Sequence, residues 1–208
     1  EDALRILRAL YFQSKLGFEI EAETLAGMIR SKDLISKISM ERVHQEVIKI
    51  LKGPFAKMAL KTLIDTGIHK ELPGLEKGFI KALECEKMPF VDTFFTMSFA
   101  LNNAVVPAKW PFSNLHRNKY QKAAELANKV HGLIDNVNLY HYGVEISQLA
   151  NKANFYLGRS KFFENKIQEL YDALPVKGDL DLALSSHEII NYLQKKQGIW
   201  LGNLRKEM

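Results

Sequence analysis

Apolar residues recur at three- and four-residue steps along nearly the whole chain and nowhere alternate with the two-residue period of a strand. Such a chain buries its apolar side chains only by packing helix on helix, so an all-α fold is expected. Leu4, Leu7, Leu10 (or Tyr11) and Leu16 form the apolar stripe of a first helix, which Gly17 ends. "EAETLAGMIRS" and "SMERVHQEVIKILKG" continue the pattern, the second with Ser39 as N-cap and Gly53 as terminator. Pro54 stands at the first turn of "PFAKMALKTLIDTG", where proline is tolerated, and Gly67 closes that helix. "LPGL" reads as a turn, and further helices are expected over 76–86, 89–102, 113–136, 144–157 and 159–173. Ser185 and Glu188 have capping-box spacing before an apolar run. Gly198 then breaks the helix they start, and a last one begins near Leu201.

With 208 residues, 47% of them hydrophobic and 25% charged, the chain suits one large domain or two to three helical modules. Its single cysteine, Cys85, has no partner for a disulfide, which fits a reducing compartment such as the cytoplasm. No apolar run reaches the roughly 18–20 residues that span a bilayer, so no membrane partner is expected. "FVDTFFTMSFAL", the most apolar stretch, is shorter than that and carries Asp92; it reads as a buried core helix. The chain opens inside a helical pattern without a methionine, as a piece of a longer protein would.

The net charge of +5 is unevenly placed: residues 87–208 carry 15 Lys and Arg against 11 Asp and Glu. That leans toward a polyanionic partner. Nine basic residues against four acids lie between 109 and 166: Lys109, Arg117, Lys119, Lys122, Lys129, Lys152, Arg159, Lys161 and Lys166. Lys195, Lys196, Arg205 and Lys206 cluster again beside Gly198 and Gly202, where a backbone without Cβ lets phosphates approach. These four are the candidate RNA contacts. The six histidines are scattered; His131 and Asp135 stand one helical turn apart, but no third ligand accompanies them. There is no Ser-His-Asp arrangement, CxxC pair or Gly-rich phosphate loop, so neither a catalytic group nor a metal site is expected within these residues.

The opening "EDALR" places Asp2 and Arg5 on one helix face. An ionised Asp only accepts hydrogen bonds and an Arg only donates them. Cytosine and adenine share a Watson–Crick edge with an amino donor beside a ring-nitrogen acceptor, whereas guanine and uracil present a carbonyl beside an N–H. One Asp–Arg pair could therefore accept C and A and reject G and U, at about 1–3 kcal/mol per good paired contact. The same spacing also suits a simple exposed ion pair, worth a few tenths of a kcal/mol.

"EDALRILRALYFQSKLGFEIEAETLAGMI", "ISMERVHQEVIKIL" and "GPFAKMALKTLIDTGIHKELPGL" closely resemble bacterial CCA-adding enzymes, the class II tRNA nucleotidyltransferases. The resemblance covers about residues 1–75 and returns at "LSSHEIINYLQKKQGIWLGNLRKEM", which is similar to the family's C-terminal helix pair. It implies an elongated array of helices: a neck over 1–60, a body over 61–140 and a tail over 141–208. In the family's "EDxxR" motif the Asp and Arg act as a protein template for the incoming CTP or ATP; these are Asp2 and Arg5 here. Arg8 is expected near the nucleotide, and Tyr11 stands there where the family usually carries an arginine.

The resemblance further implies a parent protein that adds C, C and A to tRNA 3′ ends. Its body and tail would measure the acceptor stem and T-arm. The family's catalytic head, whose acidic pair holds Mg²⁺, would precede Glu1, so this piece alone is expected to be inactive. Alternatives are the equivalent part of a bacterial poly(A) polymerase, a relative adding only CC or only A, or a non-enzymatic helical RNA-binding module.

Overall fold

A computed structural model describes residues 3–177 and 186–207, with side chains as far as residue 204. Among the described residues every regular element is a helix. The first unit is built from α1 (Leu4–Leu16), α2 (Ala22–Ser31), α3 (Met40–Lys52) and α4 (Ala56–Asp65), with 3-10 turns at Lys32–Lys37 and Ile68–Glu71. Helix α1 buries Leu4, Ile6, Leu7 and Leu10 against α3 and α4. It ends at Gly17 in the left-handed region (φ 73°), whose N–H donates to the Gln13 carbonyl. Leu16, expected on the buried stripe, is instead 45% exposed, because the stripe narrows to Gln13 and Ser14 at that end.

Gly53 lies where the chain between α3 and α4 crosses α1. A Cβ there would stand 2.4 Å from the Ser14 carbonyl oxygen and 2.7 Å from its carbon, both backbone atoms. The same oxygen accepts the Phe55 N–H at 2.8 Å. We expect Gly53→Ala to cost about 1–3 kcal/mol by forcing these backbones apart, measured as a lower urea midpoint at unchanged slope.

The second unit packs α5 (Glu76–Glu84), α6 (Val91–Leu101), α7 (Asn114–Lys129) and α8 (Asn136–Tyr156) on one another. Helix α6 is the core helix expected from its composition: Thr93 to Ala100 are all buried. Phe95 sits at the centre of an aromatic cluster with His44, Phe94, Phe99, Trp110, Phe112 and Tyr120. Burial among these rings lowers the His44 pKa, and the nearby His116 lowers it further. The loop between α6 and α7 is tied down twice. Trp110 Nε1 donates to the Pro73 carbonyl at 2.8 Å, and the Arg117 guanidinium donates to the carbonyls of Pro107 (3.1 Å), Ala108 (3.2 Å) and Trp110 (2.6 Å).

Asp92, at the head of α6, accepts from the Tyr120 hydroxyl (2.7 Å) and the Lys119 ammonium (3.0 Å). Burial alone would raise its carboxyl, but these two hydrogen bonds and the lysine charge outweigh burial and hold the pKa below 3.8. A depressed folded-state pKa contributes stability that is present above the unfolded value of about 3.9 and lost as pH falls through the folded one. Denaturation titrated from pH 6 to pH 2 is therefore expected to show a shallower acid loss in Asp92→Asn than in the wild type.

Two helix boundaries differ from the sequence reading. The helix expected over 113–136 stops at Lys129, and a new one starts at Asn136 after Gly132 (φ 122°). Asp135 caps that second helix, accepting from the Asn138 N–H at 2.8 Å. Helix α8 is broken in turn at Gly143 (φ 74°, ψ 168°). The helix expected from 159 begins only at Glu164, as α9 (Glu164–Asp172). Buried Asn151 holds the preceding loop open by donating to the Lys161 carbonyl (3.1 Å) and accepting from the Phe163 N–H (2.8 Å).

Buried apolar side chains from Leu4 to Leu174 form one continuous cluster. Outside it, α10 (Ser186–Leu193) and α11 (Ile199–Glu207) bury Ile189 and Leu201. The expected capping residue Ser185 lies outside the described residues. Among the described residues no helix is long and apolar enough to cross a membrane.

Candidate functional site

Arg5 and Arg8 project from the exposed face of α1, opposite the stripe that packs on α3 and α4. At 100° per residue, Phe12 lies only about 20° round the helix from Arg5, and it is 52% exposed. The outer face of α1 thus carries two guanidinium groups and an aromatic ring in one row. Sequence reading singled out the arginines and passed over Phe12, although its seven-residue spacing from Arg5 was legible. Asp2, the expected acidic partner, lies outside the described residues.

Tyr11 is turned about 120° from Arg5 and is half-buried. Its ring lies under two ammonium groups, Lys49 at 5.6 Å and Lys15 at 5.9 Å. Lys49 is held there by Glu46, to which it donates at 2.8 Å and which is itself buried between α1 and α3. Tyr11 therefore gathers two lysines on this side of α1, one of them paired with Glu46.

In the tail, Lys195 and Lys196 are exposed between α10 and α11. Lys195 stands 5.6 Å from the Trp200 ring, and Trp200 Nε1 donates to the Lys196 carbonyl at 2.9 Å, which fixes the turn. Arg205 and Lys206 fall within α11, outside the residues whose side chains are described.

The basic residues between 109 and 166 divide into two groups. Arg117 holds the α6–α7 loop, Lys119 pairs with Asp92 and Glu145, and Lys152 pairs with Glu164 at 2.6 Å. Arg159 donates to Asn128, and Lys166 pairs with Glu169. Lys109, Lys129 and Lys161 are exposed, and Lys122 is half-buried. A charge count along the sequence cannot see partners that arrive from a neighbouring helix.

His131 and Asp135 do not share a helical face, because the helix is interrupted between them and the Asp135 carboxylate is engaged by Asn138. Among the described residues no three His, Cys, Asp or Glu side chains gather as a metal site would require.

Two family models match the chain. One, described as "Probable RNA and SrmB- binding site of polymerase A", covers residues 17–79; the other, "tRNA nucleotidyltransferase domain 2 putative", covers 91–208. Both descriptions concern RNA-handling polymerases, a class consistent with exposed arginines on α1 and a basic turn in the tail. The chain belongs to the tRNA nucleotidyltransferase family.

The CCA-adding enzyme of Bacillus licheniformis is 31% identical over 214 residues, 98% of this chain and 54% of that enzyme. That of Listeria monocytogenes serotype 4b is 29% identical over 217 residues, 97% of this chain and 53% of that enzyme. The chain spans about half the length of the curated relatives it matches. It shares its fold with the crystal structure of the Bacillus stearothermophilus CCA-adding enzyme in complex with CTP. That likeness has a TM-score of 0.81 at 24% identity and covers 97% of this chain and 54% of that one.

Proposed function

We propose that this chain is the helical part of a CCA-adding enzyme, selecting the incoming nucleotide with α1 and holding tRNA with its body and tail. The observation that carries the reading is the solvent-facing row of Arg5 and Arg8 on a helix otherwise anchored in the core. Arg5 donates to the ring-nitrogen acceptor of cytosine or adenine while Asp2 accepts from the exocyclic amine, and neither arrangement suits guanine or uracil. Arg8 and the Tyr11–Lys49–Lys15 group supply positive charge beside the nucleotide. The neck, body and tail are taken as 1–60, 61–140 and 141–208; residues 60 and 140 lie within α4 and α8.

Mg²⁺ finds no donor set among the described residues, and no step of phosphoryl transfer is assigned to this chain. That chemistry belongs to carboxylates elsewhere in a complete cytoplasmic enzyme, and CTP and ATP are its substrates.

The tail should meet tRNA through Lys195, Lys196, Arg205 and Lys206, joined by the exposed Lys109, Lys129 and Lys161 of the body. A-form helices are read mainly through phosphates and 2′-hydroxyls, so shape should matter more than sequence, with the acceptor stem and T-arm preferred. We expect whole tRNA to bind more tightly than a T-arm hairpin and far more tightly than a DNA duplex of equal length. The log–log salt slope should be about −2 to −4, at roughly 0.7–0.9 per phosphate contact. Equal affinity for all three, or no slope, would remove tRNA from the account.

The polymerase A description at residues 17–79 favours one other reading, a poly(A) polymerase. Product length separates the two, because CCA addition stops after three nucleotides.

A further inference from the structure

Three phenylalanines stand exposed along the helices from α6 to α9: Phe90 (83%), Phe155 (47%) and Phe162 (52%). Phe90 follows Pro89 at the head of α6, where its carbonyl accepts the Phe94 N–H at 2.8 Å. Its backbone is therefore fixed while its ring faces solvent. The ring forms a ridge between two hollows. One, of about 550 Å³, has Lys52 and Met88 in its walls, and the other, of about 240 Å³, has Lys119, Gln148 and Lys152.

The row continues along α8. Phe155 lies about 20° round the helix from Gln148 and about 10 Å further along it. The Phe162 ring meets Phe155 at a centroid distance of 5.7 Å. Lys161, next to Phe162 in the chain, is exposed, and Asn151 anchors its carbonyl at 3.1 Å. Cations and rings thus alternate across this face: Lys52, Phe90, Lys152, then Phe155 with Phe162, then Lys161. The carboxylates lining the smaller hollow, Asp92 and Glu145, both pair with Lys119, and Glu164 pairs with Lys152.

An apolar protein segment would be served by rings that adjoin, whereas here Lys152 separates Phe90 from the other two. A single nucleic-acid strand offers the matching alternation, a base face for each ring site and phosphates for the cations between them. A paired stem does not, because its base faces are stacked inside.

We propose that this face is a track for single-stranded RNA, in which unpaired bases stack on Phe90 and on the Phe155–Phe162 pair. Lys52, Lys152 and Lys161 stand beside the intervening phosphates. The inference rests on the reading of the chain as an RNA-binding piece. It adds base stacking by the second unit to the phosphate contacts proposed above.

The test compares two ligands of the 208-residue chain across a salt series: a blunt RNA hairpin, and the same hairpin with a short oligocytidine 3′ tail. The tail should strengthen binding about tenfold, as base–aromatic stacking does. Phe90→Ala should remove most of that gain without changing the salt slope, and Phe90→Tyr should keep it. Lys161→Ala should instead make the slope shallower by about 0.7, the loss of one phosphate contact on a single strand. The melting temperature should not move with either Phe90 variant, since the ring is exposed. Arg5→Ala should leave the gain from the tail intact.

Equal affinity for the two hairpins, with an ordinary salt slope, would overturn the track and leave the RNA-binding reading standing. Binding of neither hairpin, nor of whole tRNA, would overturn both. A gain that survives Phe90→Ala would also overturn the track, and its loss in Arg5→Ala would place the unpaired strand on α1 instead.

Discussion

Truncating Phe95 to alanine is expected to lower the unfolding free energy by about 3–5 kcal/mol. Phe95 has no solvent exposure, and six rings surround it at centroid distances of 5.3–5.9 Å: His44, Phe94, Phe99, Trp110, Phe112 and Tyr120. These come from α3, α6, α7 and the loop before α7, so no single element can move in to close the cavity. Two of the neighbours are fixed by polar ties of their own, Trp110 to Pro73 and Tyr120 to Asp92. A native stability of only about 5–15 kcal/mol makes such a loss a large fraction of the whole. Urea denaturation followed by tryptophan fluorescence measures it directly, because Trp110 packs against the ring. A cost under 1 kcal/mol would mean that the aromatic cluster is loosely packed and does not join α3 to the second unit.

The second large effect concerns selection. We expect Arg5→Ala to reduce discrimination of CTP and ATP against UTP and GTP by roughly ten- to a hundredfold, the equivalent of about 1–3 kcal/mol. The prediction applies to a hybrid in which this chain follows the half of the Bacillus licheniformis enzyme that it does not match. Arg5 is exposed and outside the packed stripe of α1, so stability should change little. Arg5→Lys is the informative companion. It keeps the charge but loses the planar fork of donors, and should restore nucleotide binding without restoring choice. If both variants keep the wild-type preference, Arg5 takes part only in an ordinary surface ion pair.

Most of the fold could be read from periodicity because helix-forming signals are local. The left-handed glycines at 17 and 67 ended their helices as expected, and α3 buries Val43, Val47, Ile50 and Leu51 at helical spacing. The failures come from contacts distant in sequence. Nothing near residue 160 says that Asn151 will hold that loop out of the helix. Nothing in the charge pattern says that Arg117 faces four carbonyls rather than solvent. At the candidate site the arginines were legible as residue types at a spacing. The Lys49 ammonium over the Tyr11 ring was not, because it arrives from α3.

The most direct measurement of the central claim is the product that the hybrid makes on tRNA lacking its 3′ end, with Mg²⁺ and all four nucleotides present. The account predicts C, C and A in that order, then arrest, with nothing formed by this chain alone. A hybrid that binds tRNA yet incorporates all four nucleotides alike would contradict it, as would a CCA product from the 208-residue chain by itself.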